Sequence, residues 1–454
     1  MFKTPRNRHA KTRRRSLSLL TSAVVVATGA FLTPFSISPN SALATTDCDP
    51  GVTAPSGGAV SYVKFGDDCY IAFKNTGNVG TQATFSWSVP SYVSTANVLV
   101  VAGGGGGGSR HAGGGGAGEL VNATNYSVSG NISIEVGAGG AGTSAANSGA
   151  TAGNGQDSTF TSSGNGLTAL GGGGGSYNTA AGNGGSGGGS NGSQSGKEGS
   201  STLSTQTTLS GTAITGISFG NDGAYGLEDA SAQDFWAGGG GGGAGTAGSI
   251  PSGSKNNSNQ LNDGSNARGG DGGDGKTISW LSEQLFPILS VGTAGPQYLE
   301  FAGGGGGAIG VDGLAGGAGG LGGGGNGGKG DTAQDGVAHS GGGGGGGSFS
   351  GGTNYDGGDG GSGVVIGRYE LPKPDAVSGF SVANRFVDAD TSADTVSLSW
   401  TQAGSQTPAV TGYQIEYSTD PIFATSSTVD ISGIATTTAS ISGLNDGETY
   451  HFRI

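Results

Sequence analysis

Between positions 304 and 330 glycine falls at every third residue for nine triplets: 304, 307, 310, 313, 316, 319, 322, 325 and 328. An α-helix repeats every 3.6 residues and a strand every 2, so only an extended helix of three residues per turn puts these glycines on one side. Such a helix makes no internal hydrogen bonds. Its N–H and C=O groups point outward, and a face without side chains lets a neighbouring chain come close enough to pair with them. The period predicts a packed bundle of polyglycine-II-like segments. Collagen shares the period but needs proline between its glycines, and none occurs here. A flexible linker is the ordinary reading of 104 glycines in 454 residues. The apolar strands flanking each glycine run argue against it, since a linker has no use for them.

The N-terminus carries Lys3, Arg6, Arg8, Lys11, Arg13, Arg14 and Arg15, then an apolar run over 17–32 and Ala42-Leu43-Ala44. This order reads as a signal peptide over 1–44 with cleavage near Ala44. The basic run around Arg13 is open to either the general or the twin-arginine export route. Without those seven basic residues the chain keeps 12 basic against 32 acidic side chains, a formal charge of −20, so nucleic acid is not an expected partner. No later stretch has the ~18 consecutive apolar residues that span a bilayer, and a membrane anchor is not expected within these residues. Cys48 and Cys69 are the only cysteines and both follow the cleavage site. In an oxidising exterior they are expected to pair, contributing roughly 3 kcal/mol for a loop of this size.

Strands are expected at 59–65, 69–73, 84–89, 97–102, 120–123 and 132–136. Val98-Leu99-Val100-Val101 is a continuous apolar run suited to a strand covered on both faces. Glycine runs begin at Gly103, Gly171, Gly238 and Gly303, spaced 68, 67 and 65 residues apart, each after an apolar or small residue. The spacing predicts a repeated unit in which a strand delivers each glycine helix into a common bundle. Ile278, Leu281, Leu285, Ile288 and Leu289 recur at helical spacing, which predicts a helix over 277–285 that Pro287 interrupts. The polar tracts 182–205 and 250–268 read as surface loops. After Leu371-Pro372-Lys373-Pro374 glycine becomes scarce, and Leu398, Trp400, Tyr413, Ile415, Tyr417, Ile441, Tyr450 and Phe452 mark the strands of a second, small sandwich.

Trp87-Ser88-Val89-Pro90, Asn97 through the first glycine run, Val136–Gly142, Ser158-Thr159-Phe160, Leu167–Leu170 with its five glycines, and Gly360–Ile366 occur in the order used by a bacterial glycine-rich domain, which residues 85–370 resemble. Related folds in phage tail adhesins and receptor-kinase ectodomains pack polyglycine-II helices side by side, so the resemblance implies a surface or adhesive role. Residues 375–454 resemble a fibronectin type III domain, with Trp400, Tyr413, and Leu444 six residues before Tyr450. Against that family's pattern the chain stops within the sixth strand, so a truncated domain is expected. The expected fold is mainly β plus polyglycine II: strands feeding a bundle of polyglycine-II helices over 45–370, a linker at 371–374, then an incomplete fibronectin type III sandwich.

Several motifs invite a catalytic or metal reading. Residues 270–277, Gly-Asp-Gly-Gly-Asp-Gly-Lys-Thr, fit the P-loop pattern, but no apolar strand precedes them and two aspartates would repel phosphate, so no nucleotide is expected. Ser186 and Ser190, flanked by glycines, fit the nucleophile elbow without its strand–turn–helix context. His111 and His339 lie beside glycine runs but lack acidic or thiol companions for a metal. Asp263, Asp271, Asp274, Asp356 and Asp359 are better suited to calcium, yet Lys276 breaks the β-roll repeat and solvated turns are the plainer reading. No catalytic, cofactor or metal residue is expected. The leading expectation is an exported noncatalytic surface protein, structural or adhesive, with a protein or glycan ligand. The alternative is an accessory module of a secreted carbohydrate-active enzyme. Ice binding, a third class, needs a flat Thr/Ala face that Ile309, Asp312, Leu314 and Asn326 do not make.

Overall fold

The structure, a computed structural model, describes residues 48–454 except 78, 148, 192–196, 229–235, 254–266, 311–313, 373–376, 387–393, 403–411 and 446. The expected signal peptide, Asp263, Gly313 and residues 373–374 of the linker lie outside the described residues.

The chain begins in β. Strands β1 (Gly58–Phe65), β2 (Asp68–Asn75), β3 (Ala83–Ser88), β4 (Thr95–Val101), β5 (Leu120–Ser127), β6 (Asn131–Val136), β7 (Ser158–Ser162) and β8 (Asn165–Ala169) build two sheets. One has the order β1, β2, Val364–Glu370, β4, β5, Ser218–Phe219; the other runs β3, β6, β7, β8. The apolar run in β4 divides as a pleat requires. Val98 and Val100 join Phe73, Phe85, Trp87, Ile134 and Phe160 between the two sheets. Leu99 and Val101 join Tyr70, Ile366, Ile278, Leu285 and Phe301 on the other side. Both faces of β4 are therefore covered. Cys48 and Cys69 form a disulfide with a Cα–Cα distance of 5.5 Å, buried in the first of these cores.

The helix expected over 277–285 is instead a strand, Lys276–Ser282, followed by a 3-10 turn at Glu283–Leu285 and a single α-helical turn at Phe286–Leu289. A register shift between Thr277 and Ser282 turns both Ile278 and Leu281 inward, and this bulge imitates helical spacing. Pro287 starts the short helix rather than stopping one.

The glycine-rich segments leave this β base as extended passes held by backbone hydrogen bonds. In residues 103–108 the amides of Gly103 and Gly106 donate to Gln156 and Gly153, those of Gly104 and Gly107 to Gly361 and Gly358, and those of Gly105 and Gly108 to Gly116 and Gly113. Their carbonyls accept in the same rotation: Gly103 and Gly106 from Gly172 and Gly175, Gly104 and Gly107 from Gly140 and Thr143, Gly105 and Gly108 from Gly344 and Gly347. Partners thus recur every third residue, and one pass is bonded to six others. Passes 112–119, 237–244 and 302–309 repeat the scheme.

This geometry amends the sequence reading in three ways. The triplet run is folded back into three passes, 302–309, 314–321 and 323–328, and Gly322 and Gly323 turn the chain at φ 89° and 104°. A central pass needs glycine on three sides rather than one: a Cβ at Gly304, Gly305 or Gly306 would overlap the carbonyl of Gly241, Gly344 or Gly317 respectively. Gly185–Asn191, read as surface loop, is a buried pass, because a Gly/Ser tract whose amides are bonded is no longer polar in effect. The four long glycine runs do each follow a strand, but the strands belong to four different sheets.

Residues 381–454 form two three-stranded sheets. One orders Ser381–Phe386, Asp394–Ser399 and Thr438–Leu444; the other orders Ser427–Ser432, Gly412–Ser418 and His451–Arg453. Leu398, Trp400, Tyr413, Ile415, Ile441 and Leu444 fill the space between them. The hydroxyl oxygen of Tyr450 accepts the Asn445 amide at 3.2 Å, tying the last strand to the preceding turn.

Candidate functional site: the tip of the glycine bundle

One end of the bundle sits on the β base, through Ala102, Glu119, Phe301 and Gly363. The other end is where passes turn, and four of them leave a bulky side chain there. The turn between passes 103–108 and 112–119 holds Arg110 and His111; pass 170–176 ends at Tyr177, pass 237–244 starts after Trp236, and pass 341–347 ends before Phe349. The Arg110 guanidinium lies 5.0 Å from the Tyr177 ring and 5.4 Å from the Phe349 ring. His111 is 5.1 Å from Phe349, 6.1 Å from Tyr177 and 6.5 Å from Trp236, to which it is nearly parallel at 27°. Tyr177 and Trp236 stand 6.1 Å apart.

Two features set this cluster apart from ordinary packing. Arg110 and His111 both have left-handed backbone, φ 63° and 54°, a conformation that costs a non-glycine residue roughly 1–3 kcal/mol. Arg110 Nε and His111 Nδ1 are also buried without a hydrogen-bond partner. Burial, reinforced by the Arg110 charge, pushes His111 down to about 4, so its imidazole is neutral near pH 7. His111 is 3% exposed, whereas Arg110, Trp236 and Phe349 keep part of their surface in solvent. The ring of His111 packs against the backbone of Gly310, where a Cβ would overlap it.

None of the five was singled out from sequence as a group. The signal was present: three glycine runs end in serine followed by a cation or ring, Gly108-Ser109-Arg110, Gly175-Ser176-Tyr177 and Gly347-Ser348-Phe349.

The residues weighed from sequence are dispersed. His111 is at the tip, but His339 lies at the base end, held below the usual histidine range by burial and by the charge of Lys74. The aspartates considered for calcium accept backbone amides of neighbouring passes: Asp271 from Ala318 at 2.7 Å, Asp274 from Leu321 at 3.0 Å, Asp356 from Ala145 at 2.5 Å and Asp359 from Gly142 at 2.7 Å. Their spacing of three follows the passes they border. Residues 270–274 of the P-loop pattern form such a bordering pass. Ser186 and Ser190 sit inside the bundle with hydroxyls that have no partner. Sequence reasoning also missed Glu119, a fully buried carboxylate that accepts the Leu170 and Ser204 amides at 2.9 and 3.2 Å and whose pKa burial raises.

A glycine-rich domain family model matches residues 80–370, and a fibronectin type III domain model matches residues 383–454. No curated protein matches the chain.

Proposed function

The chain belongs to the glycine-rich domain family, and from that membership and the geometry of the tip we propose an exported, noncatalytic surface protein, in which a rigid bundle of polyglycine-II helices stands on a β base and presents its tip for adhesion. The fibronectin type III domain and the buried disulfide are compatible with an extracellular setting. The observation that carries the reading is the recurrence of hydrogen-bond partners at every third residue in both donors and acceptors. A polyglycine-II helix has three residues per turn, and six bonded neighbours make a central pass such as 103–108 rigid without a side-chain core.

Gly316 and Ala315 test it. Gly316 faces Gly327, and a Cβ would overlap the Gly327 carbonyl; Ala315, one residue earlier, faces solvent. Forcing these passes apart strands backbone groups at about 1–3 kcal/mol each. Gly316→Val in the exported chain should lower stability by several such increments, while Ala315→Val should be nearly silent in thermal melts. Equal effects, or rapid proteolysis of the unmutated glycine region, would sink the bundle.

A further inference from the structure

We propose that the tip binds saccharides bearing a carboxylate, an inference that rests on reading the bundle as a support for its tip. The turn itself is the first ground. A chain with 104 glycines places arginine and histidine at two consecutive left-handed positions, φ 63° and 54°, where glycine would sit without strain. Those two side chains are kept against the preference of the backbone.

The pairing of Arg110 is the second. Its guanidinium is flanked by Tyr177 and Phe349, no ion pair to it occurs among the described residues, and Nε is buried without an acceptor. A side chain that merely closed the end of the bundle would be served better by leucine, because an unsatisfied buried donor is destabilising. The cluster thus holds a cation with no counter-charge among the described residues.

Shape and charge select the class of anion. A guanidinium offers a planar fork that matches a carboxylate with two parallel hydrogen bonds. Beside it the half-buried rings of Trp236 and Phe349 offer apolar surface, suited to the C–H face of a pyranose. His111, only 3% exposed, backs the Trp236 and Phe349 rings from within the bundle. A free inorganic anion would leave the rings unused. A carboxylate on a sugar uses the guanidinium and the half-exposed rings together.

The test titrates the exported chain with tetragalacturonate and sialyllactose, using calorimetry together with tryptophan emission, against the methyl ester of the first, lactose, and oligoglutamate. The two acidic sugars separate a structural polysaccharide from a glycoprotein glycan as the source. At least one should bind with a Kd between about 1 μM and 1 mM, and its uncharged counterpart should bind at least roughly tenfold more weakly, as loss of a charge-assisted pair requires. Arg110→Gly should abolish binding yet melt no lower than the parent, since glycine suits that φ; Trp236→Ala should weaken binding without removing the charge. Equal affinity for the uncharged sugars, retention of binding in Arg110→Gly, equal affinity for oligoglutamate, or no binding of either acidic sugar at about 10 mM would overturn the proposal. The melts of the Gly316 and Ala315 variants involve no ligand, so the bundle can stand where this inference falls.

Discussion

The β base and the glycine bundle exclude water by opposite means. In the base, rings interlock: Phe73 and Phe85 lie 5.4 Å apart, Trp87 and Phe160 6.3 Å, and Trp87 stacks on Tyr369 at 6.1 Å. Stability there follows buried apolar area, and neighbouring side chains can shift to absorb a change of volume. The bundle has almost no side chain to bury. Its passes approach until carbonyl meets amide, and what holds them is the saturation of backbone groups, each worth about 1 kcal/mol net when made and more when orphaned. A side-chain core tolerates approximate fit; a backbone core tolerates no Cβ where a glycine faces a neighbouring carbonyl.

That contrast can be broken most directly by one substitution on each side. Gly105 sits in a pass bonded to six neighbours, and a Cβ there would overlap the Gly173 carbonyl. Gly105→Val should prevent the glycine domain from folding, read as loss of the cooperative melt. Trp87→Ala, which empties a site only 1% exposed, should cost about 3–5 kcal/mol and leave a folded domain with a lower melting temperature. If the tryptophan proves the more damaging, the bundle is a passenger on the base.

Acid should sharpen the comparison at the tip. The folded-state pKa of His111, about 4, lies below its ordinary value of 6.5, so the native state binds fewer protons than the unfolded chain between those values. The stability this contributes is fully present above pH 6.5 and drains as pH falls through 4, a change on the order of 3 kcal/mol. Urea titrations at pH 7 and pH 4 should show a larger loss in the parent than in His111→Asn, whose side chain accepts left-handed backbone and does not titrate. An identical loss in both would place the acid sensitivity elsewhere.

The smallest expected effect is at the border of the bundle. Asp274 accepts the Leu321 amide at 3.0 Å in an exposed setting, and Leu321 is itself 63% exposed. Water can replace the carboxylate, so Asp274→Ala should cost only about 0.5–1.5 kcal/mol in a thermal melt. A loss comparable to that of Gly316→Val would mean that border side chains, and not glycine packing, hold the passes together.

Much of this was legible in the sequence because the relevant signals are local. Alternation marked β3, the continuous apolar run marked β4 as doubly covered, and glycine at every third residue announced close approach of backbones. What was not legible depends on where the chain turns. The separation of passes 302–309 and 314–321 and the reversal at Gly322–Gly323 leave the period of three intact, so nothing in the pattern distinguishes one long pass from three short ones. The bulge in Lys276–Ser282 placed Ile278 and Leu281 on one face at a spacing of three, and periodicity alone cannot tell that from a helix. Asp271 and Asp274 looked like ligands because carboxylates at turn-like positions usually serve solvent or metal; their real partners, the Ala318 and Leu321 amides, are 47 residues away in sequence. The tip escaped notice because each of its members follows or precedes a different glycine run, and only the packing of those runs brings them together.

The position of Val364–Glu370 has a consequence for how the chain comes to be made. The last strand of the glycine domain lies between β2 and β4, paired with Phe73 on one side and Val100 on the other through Val365. Until it arrives, two of the earliest strands to be synthesised each present an unpaired edge, open to any other chain. Folding from the N-terminus as residues emerge therefore stalls with a gap in the middle of the sheet. The keystone is the final piece, so the domain must be held open across nearly its whole length and then close in one step, with contacts that join the two ends of a long chain. On the export proposed above, passage of an unfolded chain would meet that requirement, because the strand that locks the sheet would cross last.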